Sequence, residues 1–347
     1  MTYLLIYCKV SNVNNAGDFH LKLEENFPIV PPGWYYVCHI SQLRSAPIVH
    51  KVHKSEYLLW KDEDNIYVSD ARCPHMNADL SKGKISKSSI TCPYHGFKFD
   101  KGICVHTPNS EDVPSWANIK TYPVKNICGH IFFFNNTEAL FDFPFFINEF
   151  IEEFTASSSF SFEGEINWYT LASHAFDLNH FRSVHERELL SDITINSKMP
   201  YQRANTYTAK VIGTSLREKL IQLVAGKEIN MTIDTYGANL FLLNGKFSNG
   251  VTSYFILNST PLDDNNCKLS GIVFSKKTNK IKSLFQPLIM AVRRHFTYKY
   301  LEEEARTLHG THFNLGTTYT EDTPIIEYFK WLQGHEGFKI KQSKDNS

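Results

Sequence analysis

Two short segments of the chain combine a cysteine with a histidine: Cys73-Pro-His75 and Cys92-Pro-Tyr-His95. Each segment offers one thiolate and one imidazole, so the pair could supply two sulfur and two nitrogen ligands to a metal centre. Zinc would bind such a set tetrahedrally, whereas a [2Fe–2S] cluster would take both cysteines on one iron and both histidines on the other. Zinc ribbons usually place like ligands in each knuckle, so the mixed loops favour the cluster over zinc and over a chance pairing without metal.

A second group with metal-binding chemistry is Asp177-Leu-Asn-His180-Phe-Arg-Ser-Val-His185, in a stretch with helical character. Two histidines five residues apart lie about 140° apart around an ideal helix. The helix must therefore break or turn between His180 and His185 if both bind one metal. On spacing alone, a structural role for the two histidines stays open beside the metal site.

The segments Arg72–Ser81 and Thr91–Asp100 resemble the two cluster-binding loops of the Rieske oxygenases. The resemblance covers about residues 31 to 335 and includes two further segments, Gly33-Trp-Tyr35 and Trp60-Lys-Asp-Glu-Asp-Asn65. Respiratory Rieske proteins carry an additional cysteine in each loop, and the matching positions here are Ala78 and Tyr94. The resemblance is therefore to the oxygenase type, and it implies a [2Fe–2S] cluster with four ligands: Cys73, His75, Cys92 and His95.

For the second group, the resemblance implies a mononuclear non-haem Fe(II) ion bound by His180 and His185, because Rieske oxygenases carry a D-x-x-H-x₄-H motif at this position. Within one chain of this family the cluster and the iron are too far apart for useful electron transfer. Electrons pass between neighbouring subunits, so Asp177 is expected to bridge His180 of one subunit to a cluster histidine of the next. The resemblance therefore also implies a homotrimer.

The third iron ligand of this family is a carboxylate on a C-terminal helix, and three consecutive candidates follow Leu301: Glu302, Glu303 and Glu304. Glu304 has Tyr300 four residues before it and Leu308 four residues after it, so it lies in the apolar stripe of the predicted helix. Glu303 has Lys299 four residues before it, which is typical of a solvated face. Glu304 is the predicted ligand and Glu303 the alternative, although the family usually has aspartate at this position.

The elements that must position these groups suggest two domains of an α+β protein. From about residue 34 to 136, short strands alternate with turns, including predicted hairpins around residues 62–65 and 100–102, which is typical of a small all-β domain. Residues 172–190 have a helical pattern, strand-like runs follow between residues 207 and 274, and residues 284–308 predict a long helix. The predicted domains are an extension over 1–30, a Rieske [2Fe–2S] domain over 31–140, and a catalytic domain over 141–340 that resembles the helix-grip (START/Bet v1-like) fold.

Composition narrows the functional classes for the 347 residues. Apolar residues make up 42% and charged residues 21%, as in ordinary globular proteins, and 36 basic residues balance 36 acidic ones. This balance gives no electrostatic signal for nucleic acid or a membrane surface. No apolar stretch reaches the roughly 20 residues of a membrane span, and the start of the chain predicts a strand in place of a signal peptide. Seven irregularly spaced cysteines argue against a secreted disulfide framework, so we expect a cytoplasmic protein.

The sequence and the resemblance together predict a terminal oxygenase that uses O₂ to hydroxylate, demethylate or desaturate a small, largely apolar substrate. The pocket residues are expected on the strands between Tyr207 and Phe274. Electrons are expected from a separate NAD(P)H-dependent reductase or ferredoxin, because the chain has no glycine-rich dinucleotide fingerprint. The alternative is a Rieske electron carrier or ligand-binding protein whose second domain is not catalytic.

Overall fold

The computed structural model describes residues 27–43, 46–63, 65–108, 113–177, 180–278, 284–311 and 322–338. Residues 1–26 of the predicted N-terminal extension, and with them the strand predicted at the start of the chain, lie outside the described residues. Within the described ranges, no helix is both long enough and apolar enough to cross a membrane.

The first part of the chain folds into short antiparallel strands. Their bounds are Trp34–His39 (β1), Ile48–Val52 (β2), Ser55–Asp62 (β3), Asn65–Asp70 (β4), Lys84–Ser86 (β5), Ser89–Thr91 (β6), Lys98–Asp100 (β7), Ile103–His106 (β8), Val124–Ile127 (β9) and His130–Phe134 (β10). They form three small sheets in the orders β1-β10-β9, β2-β3-β4 and β5-β6-β7-β8. The predicted all-β character and both predicted hairpins, β3–β4 and β7–β8, are confirmed.

The second part is built on one large antiparallel sheet. Its strands are Phe154–Ala156 (β11), Phe160–Glu165 (β12), Arg187–Leu189 (β13), Thr194–Asn196 (β14), Gln202–Val211 (β15), Glu228–Tyr236 (β16), Leu240–Phe247 (β17), Thr252–Pro261 (β18) and Asn266–Lys276 (β19). In the described residues the central order is β11-β19-β18-β17-β16-β15-β13, with β12 paired to β19 and β14 paired to β15. Long strands with consecutive hairpin connections give a curved surface on which helices can pack.

The helices of the described ranges are Trp168–His174 (α1), His180–Ser183 (α2), Leu216–Ala225 (α3), Gln286–Leu308 (α4) and Thr323–Gln333 (α5). Helix α4 packs on β12 and β19, and α1 packs between α5 and β18. Phe176, just after α1, stacks on Tyr328 of α5 with ring centroids 4.6 Å apart, and both side chains are fully buried. The predicted α+β arrangement, an all-β part followed by a sheet with packed helices, is confirmed.

The continuous helix predicted over residues 172–190 is wrong. Helix α1 ends at His174, α2 has a single turn from His180 to Ser183, and residues 187–189 form β13. Strand β13 pairs with β15, and this tertiary pairing overrides a weak local preference for helix. The break provides the turn between His180 and His185 that a shared metal requires.

The sequence pattern does not predict helix α3, strand β17 or helix α5 as separate elements. The predicted boundary near residue 140 lies in the connection between β10 and β11. The domain limits themselves stay a prediction.

Candidate metal centres

The two cysteine–histidine loops have the same backbone fold at the end of the β5–β8 sheet. The N–H of Cys73 donates to the carbonyl of Ala78 at 2.9 Å, and the N–H of Cys92 donates to the carbonyl of Phe97 at 2.7 Å. In each loop the residue four places after the cysteine has a left-handed backbone: Asn77 (φ 57°) and Gly96 (φ 73°). Equivalent turns therefore present one cysteine and one histidine each.

The side chains of these loops form two pairs. Cys73 and Cys92 are buried, with 2% and 3% exposed, and burial is the main cause that raises the pKa of the Cys73 thiol to about 11. The rings of His75 and His95 lie edge to face with centroids 4.8 Å apart, and Phe97 stacks on His75. A thiol pair beside an imidazole pair suits a cluster whose two irons have different ligands. Binding to iron would hold the buried thiols in their deprotonated form.

In the second candidate centre, the single turn of α2 separates the two predicted histidine ligands. His180 opens the turn and His185 follows it, with the N–H of His185 bonded to the carbonyl of Phe181 at 3.3 Å. Both histidines are buried, and their ring centroids lie 5.0 Å apart at 76°. Asp177 is half-buried beside them, and its Oδ2 lies 3.6 Å from Nδ1 of His180.

The candidate glutamates on α4 point in different directions. Oε2 of Glu304 lies 3.6 Å from Nε2 of His185, and the Glu304 side chain is 17% exposed. Glu303 is exposed and binds Arg217 through both carboxylate oxygens, at 2.8 and 3.0 Å. Glu302 binds Lys299 at 2.8 Å. Glu304 is thus the member of this acidic run that faces the two histidines, and its role as a ligand stays a prediction.

A third histidine lies in this centre and is not predicted by the sequence pattern. His174, the last residue of α1, places its Nε2 2.8 Å from Oε1 of Glu304. Among the described residues, the group of possible ligands whose donor atoms all lie within 4.8 Å of one another is His174, His180 and His185. Its position three residues before Asp177 is the available sequence signal, but a lone histidine on a helix has no spacing that separates a ligand from a core residue.

The electrostatics of this centre favour a cation. Burial would raise the pKa of Glu304, but the neighbouring His174, followed by His185 and His180, outweighs burial and holds that pKa at about 2. Burial lowers the pKa of His185 to about 3 against the opposing effect of Glu304. Three buried ring nitrogens make no hydrogen bond to the described residues: Nε2 of His174, Nδ1 of His180 and Nδ1 of His185. An anionic carboxylate among unsatisfied imidazoles fits a divalent metal ion.

A small cavity of ≈ 70 Å³ adjoins these groups. One side of its apolar wall comes from alternate residues of three adjacent strands, β16, β17 and β18: Met231, Ile233, Phe241, Leu243, Phe255 and Leu257. A cavity of this volume has room for only a few water molecules. A substrate of ordinary size needs about 300 Å³ or more, so side chains must move to admit one.

The chain is similar to known proteins in both parts. Residues 33–123 match the Rieske [2Fe-2S] domain family. The chain is 26% identical to cholesterol 7-desaturase of Drosophila melanogaster over 49% of its own length and 42% of the relative's length. It is 27% identical to the oxygenase component of dicamba O-demethylase from Stenotrophomonas maltophilia over 46% of its own length and 48% of the relative's length. The alignments thus span less than half of either relative.

Solved structures extend the likeness over most of the chain. Dicamba monooxygenase superimposes with a TM-score of 0.63 at 15% identity, covering 90% of this chain and 97% of that one. NdmB of Pseudomonas putida CBB5 superimposes with a TM-score of 0.64 at 17% identity, covering 86% and 89%. These matches show a shared fold. Together with the family match, they confirm the predicted resemblance and the predicted [2Fe–2S] cofactor.

Proposed function

We propose that this chain, which contains a Rieske [2Fe-2S] domain and shares the fold of dicamba monooxygenase over 90% of its length, is a terminal oxygenase. It would take electrons from a separate NAD(P)H-dependent reductase or ferredoxin and use O₂ to oxidise a small, largely apolar substrate. The observation that carries the proposal is the Glu304 carboxylate among buried imidazoles at the wall of an apolar cavity. A carrier of electrons alone would not need such a second centre.

His180, His185 and Glu304 are the residues proposed to hold the mononuclear iron. Two imidazoles and one carboxylate form a donor set typical of non-haem Fe(II) oxygenases, and the bound iron supplies the activation of O₂. Tyr300 of α4 stacks on His185 with ring centroids 4.3 Å apart. This contact fixes the orientation of the imidazole before any metal is present, which reduces the cost of organising the site.

The cavity wall determines the class of substrate. Leu243 lies opposite Ile233 on one neighbouring strand and opposite Phe255 on the other, so three apolar side chains form a continuous surface next to the metal-binding groups. Such a wall excludes water and binds hydrocarbon or aromatic groups by burial of apolar area. The relatives are named for desaturation of cholesterol and O-demethylation of dicamba, so sterols and methylated aromatic compounds are the first substrates to test.

Asp177 is proposed to carry the connection between the two centres. Its carboxylate lies beside Nδ1 of His180, where it can fix the tautomer of the ring and leave Nε2 for the metal. We include in the proposal a homotrimer in which Asp177 contacts a cluster histidine, His75 or His95, of the neighbouring copy. His75 is exposed and His95 is half-buried, so both rings are accessible in the single chain.

The alternative function, an electron carrier or ligand-binding protein, is favoured by one observation, the small volume of the cavity. Oxygen uptake distinguishes the two functions. The purified protein, a surrogate reductase and NADH are combined with a panel of sterols, N- or O-methylated aromatic compounds and unmethylated controls. We expect uptake of O₂ and formation of an oxidised product with at least one class of apolar compound. Reduction of the cluster without substrate-dependent O₂ uptake, across the whole panel, would favour the carrier.

A further inference from the structure

We propose that His174 is a fourth protein ligand of the mononuclear metal, so that the site holds three imidazoles and one carboxylate. This inference rests on the proposed function, because it concerns the same metal site. It adds a residue that lies outside the D-x-x-H-x₄-H motif and that no spacing rule selects. Its position at the end of α1 brings it to the centre through the fold alone.

The distances around Glu304 carry the inference. One carboxylate oxygen lies 2.8 Å from Nε2 of His174, and the other lies 3.6 Å from Nε2 of His185. Ligands that bind one ion at roughly 2.1 Å lie about 3.0 Å apart when adjacent and about 4.2 Å apart when opposite. The 4.8 Å limit on the separations among His174, His180 and His185 is close to this range, so small side-chain movements bring all three to one ion.

The surroundings of His174 argue against an ordinary hydrogen bond as its whole role. Its Nε2 is inaccessible to solvent, and although Glu304 is close, the pair does not meet the geometry of a hydrogen bond. A metal ion bound by both groups would satisfy this buried nitrogen and the carboxylate together, which the misaligned contact between them does not. The ring of His174 also stacks on that of His180, with centroids 3.9 Å apart at 26°, so the two imidazoles reach the centre side by side.

Helix α1 holds His174 in this place. Trp168, Tyr169 and Ala172 of the helix are buried in the core, and the next buried residue after the helix is Phe176, which stacks on Tyr328 of α5. The side chain of His174 is 11% exposed. A rigid helix end is a suitable support for a ligand, because little conformational entropy is lost when the metal binds. A fourth protein ligand would leave two open positions on an octahedral ion, where a facial triad leaves three.

The test replaces the native metal with Co(II) and counts the imidazole ligands bound to it. The mononuclear site is emptied with a chelator that spares the cluster and loaded with Co(II), and X-ray absorption at the cobalt edge then reports ring scattering without interference from cluster iron. We expect three imidazoles in the wild type and two in His174→Asn, with a dissociation constant for Co(II) at least tenfold higher in the variant. His295→Asn, a change at an exposed histidine of α4, is the matched control and should leave both quantities unchanged.

Two imidazoles in the wild type would overturn the inference, whatever His174→Asn does to the affinity, because His174 would then only orient Glu304. The number of imidazoles measured on Co(II) in the wild type tests the inference even if the variant folds poorly. A wild type that binds no Co(II) would overturn the proposed mononuclear site as well. By contrast, two imidazoles on bound Co(II) together with substrate-dependent O₂ uptake by the iron-loaded enzyme would overturn only the role of His174.

Discussion

The guanidinium of Arg187 donates a hydrogen bond of 2.8 Å to the main-chain carbonyl of His185. The same Nη1 atom lies 2.7 Å from the carboxylate of Glu218 on α3, and both side chains are buried. Arg217 then joins Glu218 to Glu303 on α4. The chain segment that carries His185 is therefore fixed by an ion pair that the cysteine and histidine motifs give no reason to expect.

Glu218→Gln should destabilise the fold strongly. The substitution leaves the buried Arg187 without its anionic partner, and breaking a buried ion pair in this way costs about 3–5 kcal/mol of the free energy of unfolding. Urea unfolding followed by fluorescence measures the effect. Glu163→Gln removes an exposed partner of Lys268 and should cost less than about 1 kcal/mol. Similar losses for the two variants would show that the buried pair does not stabilise the His185 segment.

Glu304→Ala should lose the mononuclear iron and keep the [2Fe–2S] absorption, because the cluster ligands lie in the other part of the chain. Glu303→Ala should retain the iron, since Glu303 is exposed and paired with Arg217. Glu304→Asp tests whether the length of the side chain matters. The aspartate side chain is shorter by one C–C bond, about 1.5 Å, so its carboxylate would lie farther from the metal site. We expect it to bind iron more weakly than the wild type. Loss of iron in Glu303→Ala, with retention in Glu304→Ala, would show that Glu303 and not Glu304 is the ligand.

Asp177→Asn should keep both metal centres occupied and slow electron transfer severely. The amide can still lie beside His180, but it no longer provides the negative charge that fixes the ring tautomer. Metal analysis establishes occupancy, and single-turnover reoxidation of the reduced cluster in the presence of substrate and O₂ measures the transfer rate. Wild-type turnover in this variant would show that Asp177 has no role in electron transfer.

The cluster loops were predictable because their chemistry is local: both ligands of each loop lie within four residues, and a hairpin strand leads into or out of each turn. The second centre was only partly predictable. His180 and His185 follow from a motif, and the position of Glu304 follows from a helical stripe, but His174 reaches them only because α1 ends and the chain turns back at Phe176. Strand β13 was missed for a similar reason, since its structure comes from pairing with β15 and not from its own three residues.

The free energy of unfolding of the all-β part should decrease as the pH is lowered, and His130 contributes to this decrease. This side chain is 1% exposed, and burial, opposed by the Ser157 carbonyl, lowers its pKa from 6.5 to about 4. Between these values the unfolded chain binds a proton that the folded protein does not, so stability is present above pH 6.5 and decreases toward pH 4. From pH 7 to pH 5 the loss from this group is about 2 kcal/mol.

His130→Gln removes that titration, so its free energy of unfolding should fall less between pH 7 and pH 5 than that of the wild type. His295→Gln, at an exposed position of α4, should leave the wild-type slope unchanged. Urea unfolding at the two pH values measures the slopes. Identical slopes for His130→Gln and the wild type would mean that His130 is protonated in the folded protein as readily as in the unfolded chain.

Iron and sulfide analysis of the purified protein, combined with Mössbauer spectroscopy, tests the central proposal most directly. A terminal oxygenase should contain three irons and two acid-labile sulfides per chain, with two irons in a reducible His₂Cys₂ cluster and one high-spin Fe(II) ion. After reconstitution with excess Fe(II), we expect this ratio in the wild type and two irons per chain in Glu304→Ala. Two irons and two sulfides in the reconstituted wild type would indicate an electron carrier, and stoichiometric zinc without sulfide would contradict the account altogether.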